Sequence, residues 1–179
     1  AAEHLTAPPD GATRPLVSAA GGWIYHAYRH YRGPSTIRRM RLDGSDAQTL
    51  SRHWDPQGMT LDEKTGTLYF AALRPHAIDY ALYDLYSFDV DGKRPWRRKR
   101  LTRGARVRDP DLRPGADGEL VCVVNGLGQN DLALWSARDG LRRITANQDY
   151  IQYGEPRWSP DGEWIAVSAW LPGGYRDIL

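Results

Sequence analysis

Glu155-Pro156-Arg157-Trp158-Ser159-Pro160-Asp161-Gly162, followed by Glu163-Trp164-Ile165-Ala166-Val167, is the stretch that decides the fold. Ser-Pro-Asp-Gly sets a proline where a turn wants φ near −65° and a glycine where it wants positive φ. The run after it is apolar and β-rich, so the segment reads as a tight hairpin between two strands. The same succession of proline, glycine turn and apolar strand occurs three more times. Pro15 leads to Gly22 and WIYHAY, Pro56 to Gly66 and TLYFAAL, and Pro110 to Gly118 and ELVCVV. These prolines stand 41, 54 and 46 residues apart. A period of that length, made only of strands and turns, is the mark of a β-propeller. The expected fold is all-β, a partial propeller of about three complete four-stranded blades plus parts of flanking blades.

Each unit runs in the order A, B, C, D, with a short strand A after the proline and strand B after the glycine turn. Strand C opens at Thr36-Ile37, Asp84-Leu85, Asp131-Leu132 and Asp177-Ile178. Asp43-Gly44, Asp91-Gly92 and Asp139-Gly140 then recur every 48 residues, each a strong hairpin signal between extended runs. Strand D closes with Thr49-Leu50, Leu101-Thr102 or Ile144-Thr145. The boundaries this predicts are 1–6 for the end of a preceding blade, then blades at 7–50, 51–102 and 103–145, and a truncated blade at 146–179. In that register Leu5-Thr6 ends one strand D and Asp177-Ile178-Leu179 begins a strand C. The chain therefore reads as one incomplete propeller domain from a longer protein, whose remaining blades would cover its open faces.

Composition sets wide bounds. With 179 residues, 41% hydrophobic and 26% charged, the chain falls in the globular class. No stretch approaches 18 apolar residues, and AAEHLTAPPD lacks the basic start and apolar run of a signal peptide, so no membrane insertion is expected. The single Cys122 excludes an internal disulfide and sits in an apolar run that suits a buried thiol. A net charge of +2 does not point to nucleic acid. His26 and His30 lie four apart in extended chain, roughly 13 Å by strand rise, too far to share a metal. No H-E-x-x-H, paired Cys ligands or Gly-rich phosphate loop is present, so no metal or cofactor is expected. Ser159 lacks a G-x-S-x-G context, and no catalytic residue is assigned. The basic run KRPWRRKRLTR, residues 93–103, reads as a charged outer strand in preference to a phosphate-binding patch.

The Pro156-to-Val167 segment resembles the TolB-like propeller repeat, whose signature is a P-x-W-S-P-D-G turn followed by an apolar strand. Pro172-Gly173-Gly174-Tyr175-Arg176-Asp177-Ile178 is similar to its lead-in to strand C. The third unit has two extra residues before Asp117-Gly118, the second has lost the Ser-Pro pair, and the first keeps little beyond Pro15 and Gly21-Gly22. The resemblance implies a bacterial cell-envelope setting, periplasmic or secreted. It also admits gating or accessory propellers of peptidases, whose catalytic domain would lie outside this chain.

Strand order sends the B–C and D–A loops to one end of such a propeller. The residues there are chemically rich: His30, Tyr31, Arg32, Trp54, Asp55, Arg74, His76, Tyr80, Arg108, Asp109, Asn130, Tyr153, Glu155, Trp170, Tyr175 and Arg176. Aromatics and arginines on loops suit recognition of a protein or peptide, although Trp and Tyr also serve between blades. Asp55, Asp109 and Glu155 each precede a proline and could form an arc of carboxylates at the channel mouth, or could instead cap backbone N–H groups. Arg14 breaks the pattern. The expected function is a non-catalytic scaffold for protein or peptide interaction. A peptidase-associated propeller is the alternative, and a carbohydrate module stacking sugars on Trp54, Trp170 and Tyr175 is a third reading.

Overall fold

The computed structural model describes residues 4–6, 11–18, 20–31, 33, 35–52, 54–76, 78, 80–92, 97–148 and 150–179, without the side chains of Arg52 and Trp54. The described residues form strands, turns and bends. The first sheet contains β1 (Gly11–Ser18), β2 (Trp23–Arg29), β3 (Thr36–Arg41) and β4 (Gln48–Arg52). The second contains β5 (Trp54–Asp62), β6 (Thr67–Pro75), β7 (Ala81–Asp89) and β8 (Lys99–Arg100). The third contains β9 (Val107–Leu112), β10 (Leu120–Asn125), β11 (Asn130–Ser136) and β12 (Gly140–Arg143). The fourth has β13 (Gln152–Trp158), β14 (Ile165–Trp170) and β15 (Arg176–Ile178). Each is an antiparallel meander in sequence order, and together they make a four-blade propeller arrangement, blades I to IV.

The blade count differs slightly from the sequence expectation. Three blades have four strands and the fourth has three, while residues 4–6 form a bend that belongs to no sheet.

Strand alternation gives every inner blade two buried faces, and the cores lie between blades. Tyr25, Ala27, Ile37 and Leu50 of blade I meet Met59, Leu68, Phe70, Tyr86 and Phe88 of blade II. Ala71 and Leu85 on the other face of blade II meet Leu120, Cys122, Val124 and Trp135 of blade III. The seam between blades III and IV is smaller, with Val123, Leu132 and Val167 at its centre. Polar ties sit beside each seam. Arg39 pairs with Asp91 at 2.8 Å, the Leu112 N–H donates to Thr60 Oγ1 at 3.2 Å, and the Trp158 N–H donates to Asp111 Oδ2 at 2.8 Å.

The prolines fall inside strand A, which corrects the expectation that strand A follows them. Pro15, Pro56, Pro110 and Pro156 are interior residues of β1, β5, β9 and β13. The pairing of each of these strands with its neighbour shifts register at the proline. A bulge is the reason: proline has no N–H for a regular ladder, and the extra residue of a bulge removes the need for one. Strand A is the first, edge strand of each sheet, where proline is tolerated. Blades II and III approach closely beside these bulges. A Cβ on Gly58 would lie 2.6 Å from Asp109 Cα, so the position requires glycine.

Candidate binding face

In a meander of four strands the B–C loops and D–A connections share one end of the blade, and the A–B and C–D turns share the other. Contacts between blades keep the first set together. His76 of the blade II B–C loop packs on Gly104, where a Cβ would come within 2.5 Å of the imidazole. Gln129 Nε2 donates to the Asn147 carbonyl at 2.5 Å, and Gln152 Nε2 donates to the Gly128 carbonyl at 2.9 Å. This end carries the exposed large apolar side chains Tyr31, Ile78, Tyr80, Leu127, Tyr150, Trp170 and Tyr175. Ile78 is fully exposed, while Tyr31 and Tyr175 are each 72% exposed. The opposite end shows Val17, Leu42 and Trp164.

The four strands A converge beneath these loops. The residue before each proline is left-handed although none is glycine: Arg14 at φ +56°, Asp55 at +48°, Asp109 at +50° and Glu155 at +53°. A non-glycine residue in that region costs about 1–2 kcal/mol. The cost is met four times, each time by a charged residue. Arg14, Arg29, Asp55, Gln57 and Glu155 line a cavity of about 520 Å³ that reaches blades I, II and IV.

Side chains engage the carboxylates of Asp55, which lines the cavity, and of its neighbour Asp109. Arg14 donates to Asp109 Oδ1 at 3.4 Å and to Gln57 Oε1, and Gln57 Nε2 donates to Asp55 Oδ2 at 2.8 Å. Tyr83 also donates to Asp55; burial first, then this bond and the Asp55 charge, push its hydroxyl up to about 12. Arg108 pairs with Asp109 at 3.4 Å and donates to the Tyr153 carbonyl at 3.1 Å. A polar belt therefore crosses all four blades. Nothing in residue type singled out Gln57 or Tyr83, and Arg14 read as a break in the pattern; convergence of the strands brings them together.

The predicted site residues divide five ways. His30, Tyr31, His76, Tyr80 and Tyr175 lie on loops, as expected, and are exposed. Asp55, Arg74, Glu155, Trp170 and Arg176 are exposed but belong to strands instead of loops, Glu155 at the middle of β13 and the others near strand ends. Asp109 and Asn130 are buried, which removes them from the accessible face. Asp109 serves the belt. Asn130 receives the Tyr153 N–H at 2.6 Å and donates to its carbonyl at 2.9 Å, so the pair with half-buried Tyr153 joins blade III to blade IV. Arg108 is half-buried. Arg32 and the Trp54 side chain lie outside the described residues, as do residues 93–96 of the basic run. Lys99 and Arg100 form β8, the outermost strand of its blade, with Lys99 exposed. His26 is buried in β2 and His30 lies past its end. Among the described residues no group of three or more His, Cys, Asp or Glu is placed to hold a metal, and no helix is long and apolar enough to cross a membrane.

Neither a family model nor a curated protein matches this chain. Solved structures do match. TolB from Acinetobacter baumannii superposes at a TM-score of 0.74 and 15% identity, covering 97% of this chain and 41% of that one. A putative TolB from Agrobacterium tumefaciens gives 0.70 and 18%, covering 93% and 64%. The fold is that of a TolB-like β-propeller. A puromycin-hydrolyzing peptidase from Mycobacterium tuberculosis also matches the TolB-like propeller, at 0.67 and 14% identity over 94% of this chain and 27% of that one. The TolB-like propeller thus spans less than two thirds of the length of each of these structures.

Proposed function

We propose that this TolB-like propeller is a non-catalytic scaffold that binds a protein or peptide through the end carrying the B–C loops and D–A connections. One observation carries the reading: exposed aromatic and aliphatic side chains gather at that end, around the charged cavity. Apolar anchors beside polar groups are the anatomy of a recognition surface. The rigid blades hold the loops in place, which reduces the ordering cost of binding. Likeness to TolB structures supports a periplasmic or secreted setting for that role.

The test is a peptide display selection on the protein, followed by affinity measurements on two variants. Trp170→Ala with Tyr175→Ala should weaken selected ligands about tenfold or more, as loss of aromatic anchors does. Leu42→Ala with Trp164→Ala, at the other end, should leave them unchanged. Ligands indifferent to the first pair and sensitive to the second would overturn the assignment. A second reading, an accessory propeller of a peptidase, is supported by the peptidase likeness. It requires a hydrolase or H-E-x-x-H segment encoded beside this chain.

A further inference from the structure

The connection from blade II to blade III, residues 101–106, is fastened at both ends. The buried Asp84 accepts the N–H groups of Gly104 at 3.1 Å and Ala105 at 3.0 Å. Gly104 also packs against His76 of the blade II B–C loop, whose ring lies tilted on Tyr80 at 5.5 Å. At the other end the Arg106 carbonyl accepts the Asn125 N–H at 3.0 Å, which ties the connection to the start of the blade III B–C loop. That loop reaches blade IV in turn. The Gly128 carbonyl accepts Gln152 Nε2 at 2.9 Å, and Gln152 stands opposite Trp170. These contacts draw one continuous ridge across blades II, III and IV. Ile78 stands on it fully exposed and Leu127 89% exposed, with exposed Trp170 at its far end. Blades II and III lie between blades I and IV, with which they share seams.

Charge along the ridge is one-sided. Residues 74–80, 101–106 and 125–130 hold three arginines, Arg74, Arg103 and Arg106, against a single carboxylate, Asp79. The arginines are exposed, and none is held in an ion pair among the described residues. Arg106 is also left-handed, at φ +57°. Glycine adopts that conformation freely, as Gly104 does at +65° two residues earlier. An arginine at such a position sets a guanidinium on the ridge against its backbone preference, and residues held in sparsely populated φ/ψ regions cluster at ligand sites.

We propose that this ridge binds an acidic peptide segment of a partner protein that carries aliphatic or aromatic anchors. The proposal rests on the scaffold reading above and gives its partner a charge and a path. Carboxylates of the peptide pair with Arg103 and Arg106, whose forked N–H donors match carboxylate geometry. Its apolar side chains seat beside Ile78 and Leu127, and its far end reaches Trp170. A basic segment is rejected because it would set like charges against each other.

The probes are two displayed libraries of short linear peptides, panned against the 179-residue protein. One draws its residues from Asp, Glu, Leu, Tyr, Trp, Ser and Gly, and the other replaces Asp and Glu by Lys and Arg. Binders should come from the acidic library. In fluorescence anisotropy with a selected peptide, Arg103→Ser with Arg106→Gly should weaken binding about tenfold or more, the usual loss for charge-assisted hydrogen bonds. Ile78→Ser with Leu127→Ser should weaken it by about as much, as loss of apolar anchors does. Affinity for the unaltered protein should fall as salt rises, since exposed charge pairs are screened. All four positions are exposed and glycine suits the Arg106 backbone, so both variants should keep the wild-type melting curve, which separates lost binding from lost fold. Binders drawn equally from the basic library, yet lost in Trp170→Ala with Tyr175→Ala, overturn this proposal and leave the scaffold reading standing. Acidic binders indifferent to the arginine pair overturn it too, as does self-association that competes with the peptide. Binders from neither library overturn both readings.

Discussion

Glu155 is exposed, left-handed at φ +53°, and followed directly by Pro156. Its backbone would be more comfortable as glycine, which adopts positive φ without a Cβ penalty. Glu155→Gly is therefore expected to melt at or above the wild-type temperature while losing the carboxylate at the cavity. Glu155→Val should melt lower, by an amount corresponding to about 1–2 kcal/mol; differential scanning calorimetry reads both. Asp131 behaves differently because it is buried. Burial raises its pKa, but the Asn147 amide, Thr145 and Arg143 outweigh burial and hold the carboxyl below its usual range. A depressed carboxylate contributes stability above its unfolded pKa and loses it as pH falls through the folded value. Asp131→Asn should thus destabilise by about 2–4 kcal/mol at pH 7. Denaturant titrations should show the gap to wild type narrowing below pH ~4, where carboxylates protonate. The carboxylates before Pro56, Pro110 and Pro156 were legible in the sequence as a recurring position. Their left-handed backbone was not, since Arg and Glu carry no residue-type signal for positive φ and Asp carries only a modest one.

Turn chemistry and strand composition made the blades readable. Ser159-Pro160-Asp161-Gly162 and Asp139-Gly140 each lie at a strand junction, and Gly162 and Gly140 have the positive φ their turns predicted. The placement of proline was misread because its missing donor argues for a strand boundary, whereas a bulge on an edge strand supplies a second solution. One D–A connection is short, since β5 begins two residues after β4 ends. The seams between blades are unequal: the blade III–IV cluster is built from far fewer buried residues than the other two. Local opening follows local burial. Native-state hydrogen exchange is expected to show β14 and β15 exchanging faster than β6 and β10, and equal protection across the four blades would contradict that ordering.

At the scale of the whole molecule, Cys122 reports on the intact arrangement. It lies fully buried in the blade II–III core, and burial pushes its thiol up to about 12. Alkylation at pH 8 should be slow and should accelerate with denaturant in step with the loss of β-sheet circular dichroism. Labelling that runs ahead of unfolding would mean blades II and III separate while still folded. The grouping of the B–C loops and D–A connections is also a property of the assembled molecule. The sequence named many of its residues because loop aromatics stand out, but it could not tell Asn130, committed to a seam, from Tyr175, free at a tip. That distinction depends on the neighbouring blade.

The graded seams also give the molecule a mechanical polarity. Tension applied at Leu179 acts on the blade with the least buried apolar surface holding it, and it pulls the strands of that blade away one ladder at a time. The same load must then shear the broad contact between blades II and III to go further. In an optical trap such a chain extends in steps of rising force, blade IV yielding first, so the protein is softest at blade IV and stiffest through its middle.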